Sequence, residues 1–197
     1  MNALQEKLKD YTIILGSQSP RRKELLSGLD IAFEVRVKDT DESYNENTQL
    51  ENVPLVISEN KFKAFIPELR DSDFLITADT IVIKENKILQ KPKDVEEAKE
   101  ILQFLSNGEH TVVTGVTYGT KKCFYNFSAH TQETFAQLSQ QDIEYYAHTY
   151  KPMDKAGAYG VQEWIGYVGI QKIEGSYFNV MGLPVQMLYQ KLLAYEI

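Results

Sequence analysis

The residues best suited to chemistry near the start of the chain are the hydroxyls and cations of Ser17-Gln18-Ser19-Pro20-Arg21-Arg22. They follow the apolar run 11–16, which predicts a short buried strand. Ser19 is a favourable helix N-cap and Pro20 suits the first helical position, so both arginines fall in a first helical turn. The N-terminal end of a helix favours anions, so arginines beside its free N–H groups indicate a site for a polyanion such as phosphate. Ordinary solvated arginines are the alternative interpretation.

Two acidic positions could complete such a site. Asp79 follows the apolar run 73–78, a predicted strand whose carboxyl end is where ligand sites of open α/β sheets lie. A carboxylate fixed there can ligate a metal, orient water or accept a proton. Asp41 and Glu42 lie in the polar loop 39–52, from which a carboxylate can reach a divalent ion. A turn aspartate and solvated loop acids are the alternatives.

Lysines form the third group of candidates. Lys61 and Lys63 lie in the predicted helix 53–69, where residues two apart point to different sides, so they cannot serve one site equally. Lys91 precedes Pro92, which stiffens the turn and presents the lysine rigidly, as suits a phosphate ligand. Surface cations whose stems cover apolar groups are the alternative.

A fourth segment, 154–162, combines small residues with two glycines, which permit close backbone approach. Its last residue, Gln162, offers an amide donor and a carbonyl acceptor and can read the polar edge of a flat heterocycle. A tight buried crossover is the alternative. Cys123 lies beside Phe124 in a predicted strand, which indicates a buried thiol rather than a nucleophile.

The elements that must position these residues alternate between strand and helix patterns, which predicts an α/β or α+β fold. No linker-like composition divides the chain, so we expect residues 1–197 to form a single domain with two lobes. The predicted strands are 11–16, 33–37, 73–78, a hairpin within 81–89, two long antiparallel strands within 110–137, 167–173 and 177–180. The predicted helices are 19–29, 53–69, 94–105, 140–149 and 184–195.

Composition excludes several classes of protein. The net charge of −7 over 197 residues argues against a protein that coats nucleic acid, but a local cluster of cations can still bind a polyphosphate. No apolar run reaches the roughly 20 residues of a membrane helix, so no membrane partner is expected. A single cysteine and an N-terminus without the apolar core of a signal peptide predict a cytoplasmic protein. The oligomeric state stays open, with a homodimer the commonest choice.

Four motifs together resemble the Maf family, whose members are also called septum-formation inhibitor proteins. Ser17–Leu26 matches the opening Ser-x-Ser-Pro-Arg-Arg-x-Glu-Leu-Leu, and Ala78–Val82 matches Ala-Asp-Thr-Ile-Val, with Lys91-Pro92 following. The later motifs are Asp-Lys-Ala-Gly-Ala-Tyr-Gly-x-Gln at 154–162 and Gly-Ser-Tyr-x-Asn-Val-x-Gly-Leu-Pro at 175–184. They occur in the family's order over nearly the whole chain.

The resemblance implies a metal-dependent nucleoside triphosphate pyrophosphatase, which cleaves between the α and β phosphates. It implies an elongated α/β fold whose sheet is flanked by helices, with two lobes around a central cleft, similar to the inosine-triphosphate pyrophosphatases. The Gly-Ala-Tyr-Gly-x-Gln version resembles the branch that acts on dTTP and UTP.

Roles for individual residues also follow from the resemblance. The residue that matches Asp79 is the proton acceptor, and a divalent cation, Mg²⁺ or Mn²⁺, is held by Glu42 and Asp79. Since a carboxylate bound to a dication accepts protons poorly, whether Asp79 acts as a base or as a metal ligand stays open. The substrate-binding positions implied by the family are Ser17, Arg21, Arg22, Lys61, Thr80, Lys91 and Gln162.

Two departures from the family pattern concern the same site. Gly16 stands where Ala is usual, and Glu163-Trp164-Ile165-Gly166 replaces Gly-x-Gly-Gly, which places bulk and charge beside the expected base pocket. Trp164 either stacks on the base or packs within the protein. A regulatory nucleotide-binding protein linked to septum formation, with incidental hydrolysis, is the alternative function. A phosphatase that releases orthophosphate is a further one.

Overall fold

A computed structural model describes residues 1–195 of the chain. Its strands are β1 (Thr12–Leu15), β2 (Glu34–Val35), β3 (Asp73–Lys84), β4 (Lys87–Leu89), β5 (Glu109–Gly119), β6 (Phe124–Phe135) and β7 (Ile170–Glu174). Its helices are α1 (Ala3–Lys7), α2 (Pro20–Ser27), α3 (Val53–Phe65), α4 (Val95–Leu105), α5 (Gln140–Tyr150), α6 (Trp164–Gly169), α7 (Tyr177–Met181) and α8 (Val185–Leu193).

The strands form one mixed sheet in the order β2-β1-β3-β5-β6-β7, with β4 paired to β3. β1 runs parallel to both β2 and β3. β4 is antiparallel to β3, and β7 is antiparallel to β6. The α/β fold class with a mixed sheet is therefore confirmed.

Two compact units divide the chain. Unit 1 comprises 1–79, 114–129 and the segment from Gly182 onward, and unit 2 comprises 80–113 and 130–181. Strands β3, β5 and β6 each contribute residues to both units. Of the predicted site residues, those up to Asp79 belong to unit 1, and Thr80, Lys91 and Gln162 belong to unit 2.

The core of unit 1 holds α3 against the first strands. Phe62, Phe65 and Leu69 pack with Ile14 of β1 and Leu75 of β3, and all five are buried. Burying side chains of this size contributes roughly 1.5–3 kcal/mol each relative to leaving them exposed. This packing fixes α3 on the sheet, and α3 carries Lys61.

Several predicted elements differ from the observed ones. β3 does not end before Asp79 but continues to Lys84, because the β-branched run Thr80–Ile83 extends the strand into its hairpin with β4. The strand predicted at 167–173 is the end of α6 followed by β7. The strand predicted at 177–180 is α7, where Ser176 Oγ accepts a hydrogen bond from the N–H of Asn179 as a helix cap does.

The prediction of a buried thiol was wrong. Cys123 is exposed and lies in the turn between β5 and β6, where its carbonyl accepts hydrogen bonds from the N–H of Thr120 at 2.9 Å and from the hydroxyl of Tyr195 at 2.8 Å. Its carbonyl, rather than its thiol, makes the structural contacts. Within residues 1–195, no helix combines the length and the apolar character needed to cross a bilayer.

Candidate functional site

A lysine held by two carboxylates forms the centre of the site in unit 1. Lys61 Nζ lies 2.8 Å from Asp79 Oδ1 and 2.7 Å from Glu42 Oε1. The side chains of Lys61 and Asp79 are each only 15% exposed, whereas Glu42 is 54% exposed. Two fixed charges therefore come from α3 and β3, and a more mobile one reaches them from the polar loop. Lys63, two residues on, instead pairs with Glu59 at 2.6 Å.

A buried polar contact sets the register of Lys61 against Asp79. Thr77 Oγ1 donates to the carbonyl of Ser58 at 2.7 Å, and Ser58 Oγ lies 3.0 Å from Thr117 Oγ1. Thr77 and Asp79 are two apart on one strand face, and Ser58 and Lys61 are three apart on one helix face. The Thr77–Ser58 bond and the Asp79–Lys61 bond are therefore successive links between β3 and α3.

The loop between β1 and α2 supplies the hydroxyl and the arginines. As predicted, Ser19 is the N-cap of α2 and accepts from the N–H of Arg22 at 3.4 Å, with Pro20 at the first helical position. Arg22 Nη1 donates to Ser17 Oγ at 3.4 Å, and Arg22 Nε donates to the carbonyl of Gly182 at 2.9 Å. These bonds fix a half-buried guanidinium beside Ser17.

The charges of this region act on one another. Burial lowers the pKa of Arg22, and the positive charge of Arg21 lowers it further. The carboxylates of Asp79 and Glu42 act in the opposite direction and raise that pKa. The unit 1 candidates Arg21, Arg22, Glu42, Lys61 and Asp79 therefore share one electrostatic neighbourhood, to which Ser17 is joined through Arg22. Interleaved cations and carboxylates of this kind suit a polyphosphate together with a cation.

The glycine that departs from the family pattern has a packing reason. A Cβ on Gly16 would lie 2.9 Å from Thr77 Cγ2 and 3.2 Å from both Leu75 Cδ1 and Phe65 Cε2. These buried side chains already occupy the space where an alanine would project. Gly16 therefore lets β1 approach the same threonine that ties β3 to α3.

The donor set fits a divalent cation shared with substrate. Carboxylate oxygens of Glu42 and Asp79 both contact Nζ of Lys61, so two anionic oxygen donors belong to the same cluster. Within residues 1–195, no group of three or more His, Cys, Asp or Glu side chains could hold a metal alone. Mg²⁺ is commonly bound by one or two carboxylates plus water and phosphate oxygens, which is the set that these residues could provide.

The three candidates of unit 2 have different surroundings. Thr80 is half-buried on β3, and Lys91 is exposed after β4, next to the buried Pro92. The side chain of Gln162 is half-buried, and its Oε1 is buried without a hydrogen-bond partner among the described residues. A buried carbonyl oxygen that lacks a donor is costly, typically by about 1–3 kcal/mol, so it suits a ligand that brings one.

Trp164 packs within unit 2 against Tyr145, with ring centroids 4.9 Å apart in an edge-to-face arrangement. The packing alternative therefore accounts for this tryptophan. The neighbouring Glu163 is bound to Tyr146 and Lys155, so its charge is not free beside Gln162.

Sequence reasoning missed the residues that support the site. Ser58 and Thr77 are fully buried polar residues inside apolar runs, and Tyr146 is a fully buried tyrosine. A hydroxyl within an otherwise apolar helix or strand needs a partner. That signal, present at Ser58 and Thr77, predicts a buried partner for each hydroxyl without identifying it.

The sequence comparisons with known proteins agree with one another, and the structural comparison shows a similar fold. A family model described as Maf-like protein matches residues 12–195. A protein of Parabacteroides distasonis named dTTP/UTP pyrophosphatase is 52% identical over 188 residues, covering 95% of this chain and 97% of its own. A protein of Porphyromonas gingivalis with the same name is 52% identical over 190 residues, covering 95% and 96%. The solved structure of the Staphylococcus aureus Ham1 protein is similar in fold, with a TM-score of 0.52 at 15% identity, covering 94% of this chain and all of its own.

Proposed function

The chain belongs to the Maf family, and from that membership we propose that it hydrolyses dTTP and UTP to the nucleoside monophosphate and pyrophosphate. Relatives that are about half identical to this chain over nearly their whole length are named dTTP/UTP pyrophosphatase. The observation that carries the proposal is the group of Lys61, Asp79 and Glu42, with Arg22 beside it.

The cations of unit 1 bind the triphosphate in this proposal. Arg21 and Arg22 stand in the first turn of α2, and Lys61 is fixed between two carboxylates. As pyrophosphate leaves, negative charge grows on its oxygens, and pre-placed cations stabilise that charge without reorganising. Ser17, held by Arg22, offers a hydroxyl donor to the same oxygens.

Glu42 and Asp79 are the residues that would hold a divalent cation. When bound, Mg²⁺ or Mn²⁺ supplies charge neutralisation to the phosphate oxygens. The 54% exposure of Glu42 suits a carboxylate that closes on the site when substrate arrives.

Asp79 has two alternative roles in this proposal. Lys61 donates to Oδ1 of Asp79, and the other carboxylate oxygen either receives the proton of the attacking water or binds the cation, because a carboxylate bound to a dication accepts protons poorly. Because β3 and α3 both fix this pair, the carboxylate is positioned before substrate binds. Positioning and proton transfer together are worth about 10²–10⁴ in rate.

Gln162 reads the base. Its Oε1, which has no donor among the residues that the structure describes, would accept from N3–H of uracil or thymine, while its amide nitrogen donates to O4. Thr80 and Lys91 are proposed as further substrate-binding residues of unit 2.

The test is product identification with purified protein. We expect dTTP and UTP to give pyrophosphate only when Mg²⁺ or Mn²⁺ is added, and ATP and GTP to react much more slowly. Orthophosphate as the first product would indicate a phosphatase. Tight nucleotide binding without turnover would favour the regulatory binding protein. Equal rates for GTP and dTTP would refute the pyrimidine preference.

A further inference from the structure

The residue proposed to read the base lies in a four-residue turn. The N–H of Glu163 donates to the carbonyl of Gly160 at 2.9 Å, so Val161 and Gln162 are the two central residues of the turn. The direction in which the Gln162 amide projects therefore depends on how this turn is held.

One buried hydroxyl binds both ends of that turn. Tyr146 OH accepts a hydrogen bond from the N–H of Gly160 at 2.9 Å and donates to the carboxylate of Glu163. Tyr146 comes from α5 and is fully buried. Burial raises the pKa of Tyr146, and Glu163 raises it further, so the hydroxyl keeps the proton that it donates.

The carboxylate at the far end of the turn is fixed from a second side. Lys155 Nζ lies 3.1 Å from Glu163 Oε1 and 2.7 Å from Asp154 Oδ1, and the Lys155 side chain is 9% exposed. A Cβ on Gly160 would lie 3.0 Å from Glu163 Cδ and 3.1 Å from Lys155 Cε, so the absence of a side chain there lets the group close.

A glutamine needs such support if it is to discriminate between pyrimidines. Its amide can pair with O4 and N3–H of uracil, and after rotation it can also pair with N3 and the N4 amino group of cytosine. Because that rotation takes place within the side chain, selectivity between the two requires surroundings that hold the amide in one orientation, and the turn sets where the amide lies among those surroundings.

We propose that Tyr146 and Glu163 are positioning residues that set base selectivity by holding the turn of Gln162. This inference rests on the proposed function, because it assigns a role within the same hydrolysis. The group acts through Gln162 and does not touch the phosphates.

The experiment compares UTP and CTP as substrates of the full-length protein. For Tyr146→Phe we expect the ratio of kcat/KM for UTP to that for CTP to fall about ten-fold, while maximal turnover of UTP changes much less. Tyr145→Phe, an equally conservative change on the same helix, should leave the ratio within about two-fold. Glu163→Ala should lower the ratio, and Glu163→Gln, which keeps an acceptor for the Tyr146 hydroxyl, should restore part of it.

A double-mutant cycle identifies the route of the effect. If Tyr146 acts through Gln162, Tyr146→Phe should not change the ratio further in a Gln162→Ala background. Thermal unfolding of each variant separates lost stability from lost selectivity. An unchanged ratio in both Tyr146→Phe and Glu163→Ala, with wild-type protein still preferring UTP, would overturn this inference alone. Wild-type protein that releases no pyrophosphate would overturn the proposed function itself.

Discussion

Asp79→Asn is the substitution that bears most directly on the proposed chemistry. Asparagine has the same shape and keeps an oxygen that can accept from Lys61, whose Nζ lies 2.8 Å from Asp79 Oδ1. It removes the negative charge and the ability to accept a proton. The folded structure should therefore tolerate the change while the reaction does not.

The expected sizes of the two effects differ widely. The side chains of Lys61 and Asp79 are each only 15% exposed, but Glu42 remains as a partner of Lys61, so losing one charge should lower the free energy of unfolding by about 1–3 kcal/mol. For a chain of this length each kcal/mol is a shift of about 2–4 °C in Tm. Loss of the carboxylate should lower kcat by about 10²–10⁴-fold.

The assay is steady-state release of pyrophosphate from dTTP at saturating Mg²⁺, alongside thermal unfolding. Asp71→Asn is the matched control, because Asp71 is also paired with lysine, in its case Lys121 and Lys122, but is 67% exposed on the surface of the same unit. We expect the control to keep full turnover. Asp79→Asn protein that retains more than about a tenth of wild-type kcat would refute the role assigned to this carboxylate.

Three further perturbations test other parts of the structure. Glu42→Gln should raise the Mg²⁺ concentration for half-maximal activity by about ten-fold or more, as measured by metal titration, because one of two carboxylate ligands is lost. Asp73→Asn should destabilise the protein by about 1–3 kcal/mol at pH 7 in urea unfolding, and by less at pH 3. Burial acts to raise the pKa of Asp73, but hydrogen bonds from Arg70 and other donors outweigh burial and lower that pKa. The charged carboxylate therefore stabilises the folded protein above the pKa of the unfolded state, near 3.9, and this stabilisation is lost as the pH falls through the pKa of the folded state. Gly16→Ala should cost about 1–3 kcal/mol in the same assay, since its Cβ would lie 2.9 Å from Thr77 Cγ2.

Each of the three has a matched comparison. Glu68→Gln removes a carboxylate that pairs with Lys38 and should not change the metal requirement. Gly28 ends α2 at a helical φ of −65°, so Gly28→Ala is the comparison for Gly16→Ala and should be tolerated. An equal loss of unfolding free energy in Asp73→Asn at both pH values would contradict the electrostatic account. Wild-type stability of Gly16→Ala would show that the Thr77 side chain can shift at little energetic cost.

Local signals in the sequence predicted the start of the site correctly. Ser19 and Pro20 defined the beginning of α2. The helix predicted at 94–105 agrees with α4, which Asp94 caps by accepting from the N–H of Glu97 at 2.9 Å. Caps depend on residues a few positions apart, so they can be read without knowledge of the tertiary structure. The hairpin of β3 and β4 was predicted for the same reason.

Pairings between distant segments were beyond such local reasoning. Residue types and spacing identified Lys61, Asp79 and Glu42 as candidates but did not predict their contacts. Those contacts depend on the register of α3 on β3, which is set by buried packing and by the Thr77–Ser58 bond. His110 is another example: it lies buried with its Nε2 2.7 Å from Tyr159 OH, a partner 49 positions away.

The continuation of β3 beyond Asp79 bears on how the protein could be labelled. The carboxylate stands inside a hydrogen-bonded ladder rather than on a loop, and the strand reaches Lys84 before it reverses at Glu85 and Asn86, both of which have positive φ. A fluorophore or a short peptide tag inserted at that reversal would be separated from Asp79 by paired strand. A label at the hairpin tip would therefore lie beyond the pairs Val82–Leu89, Ile83–Ile88 and Lys84–Lys87 and would leave them intact.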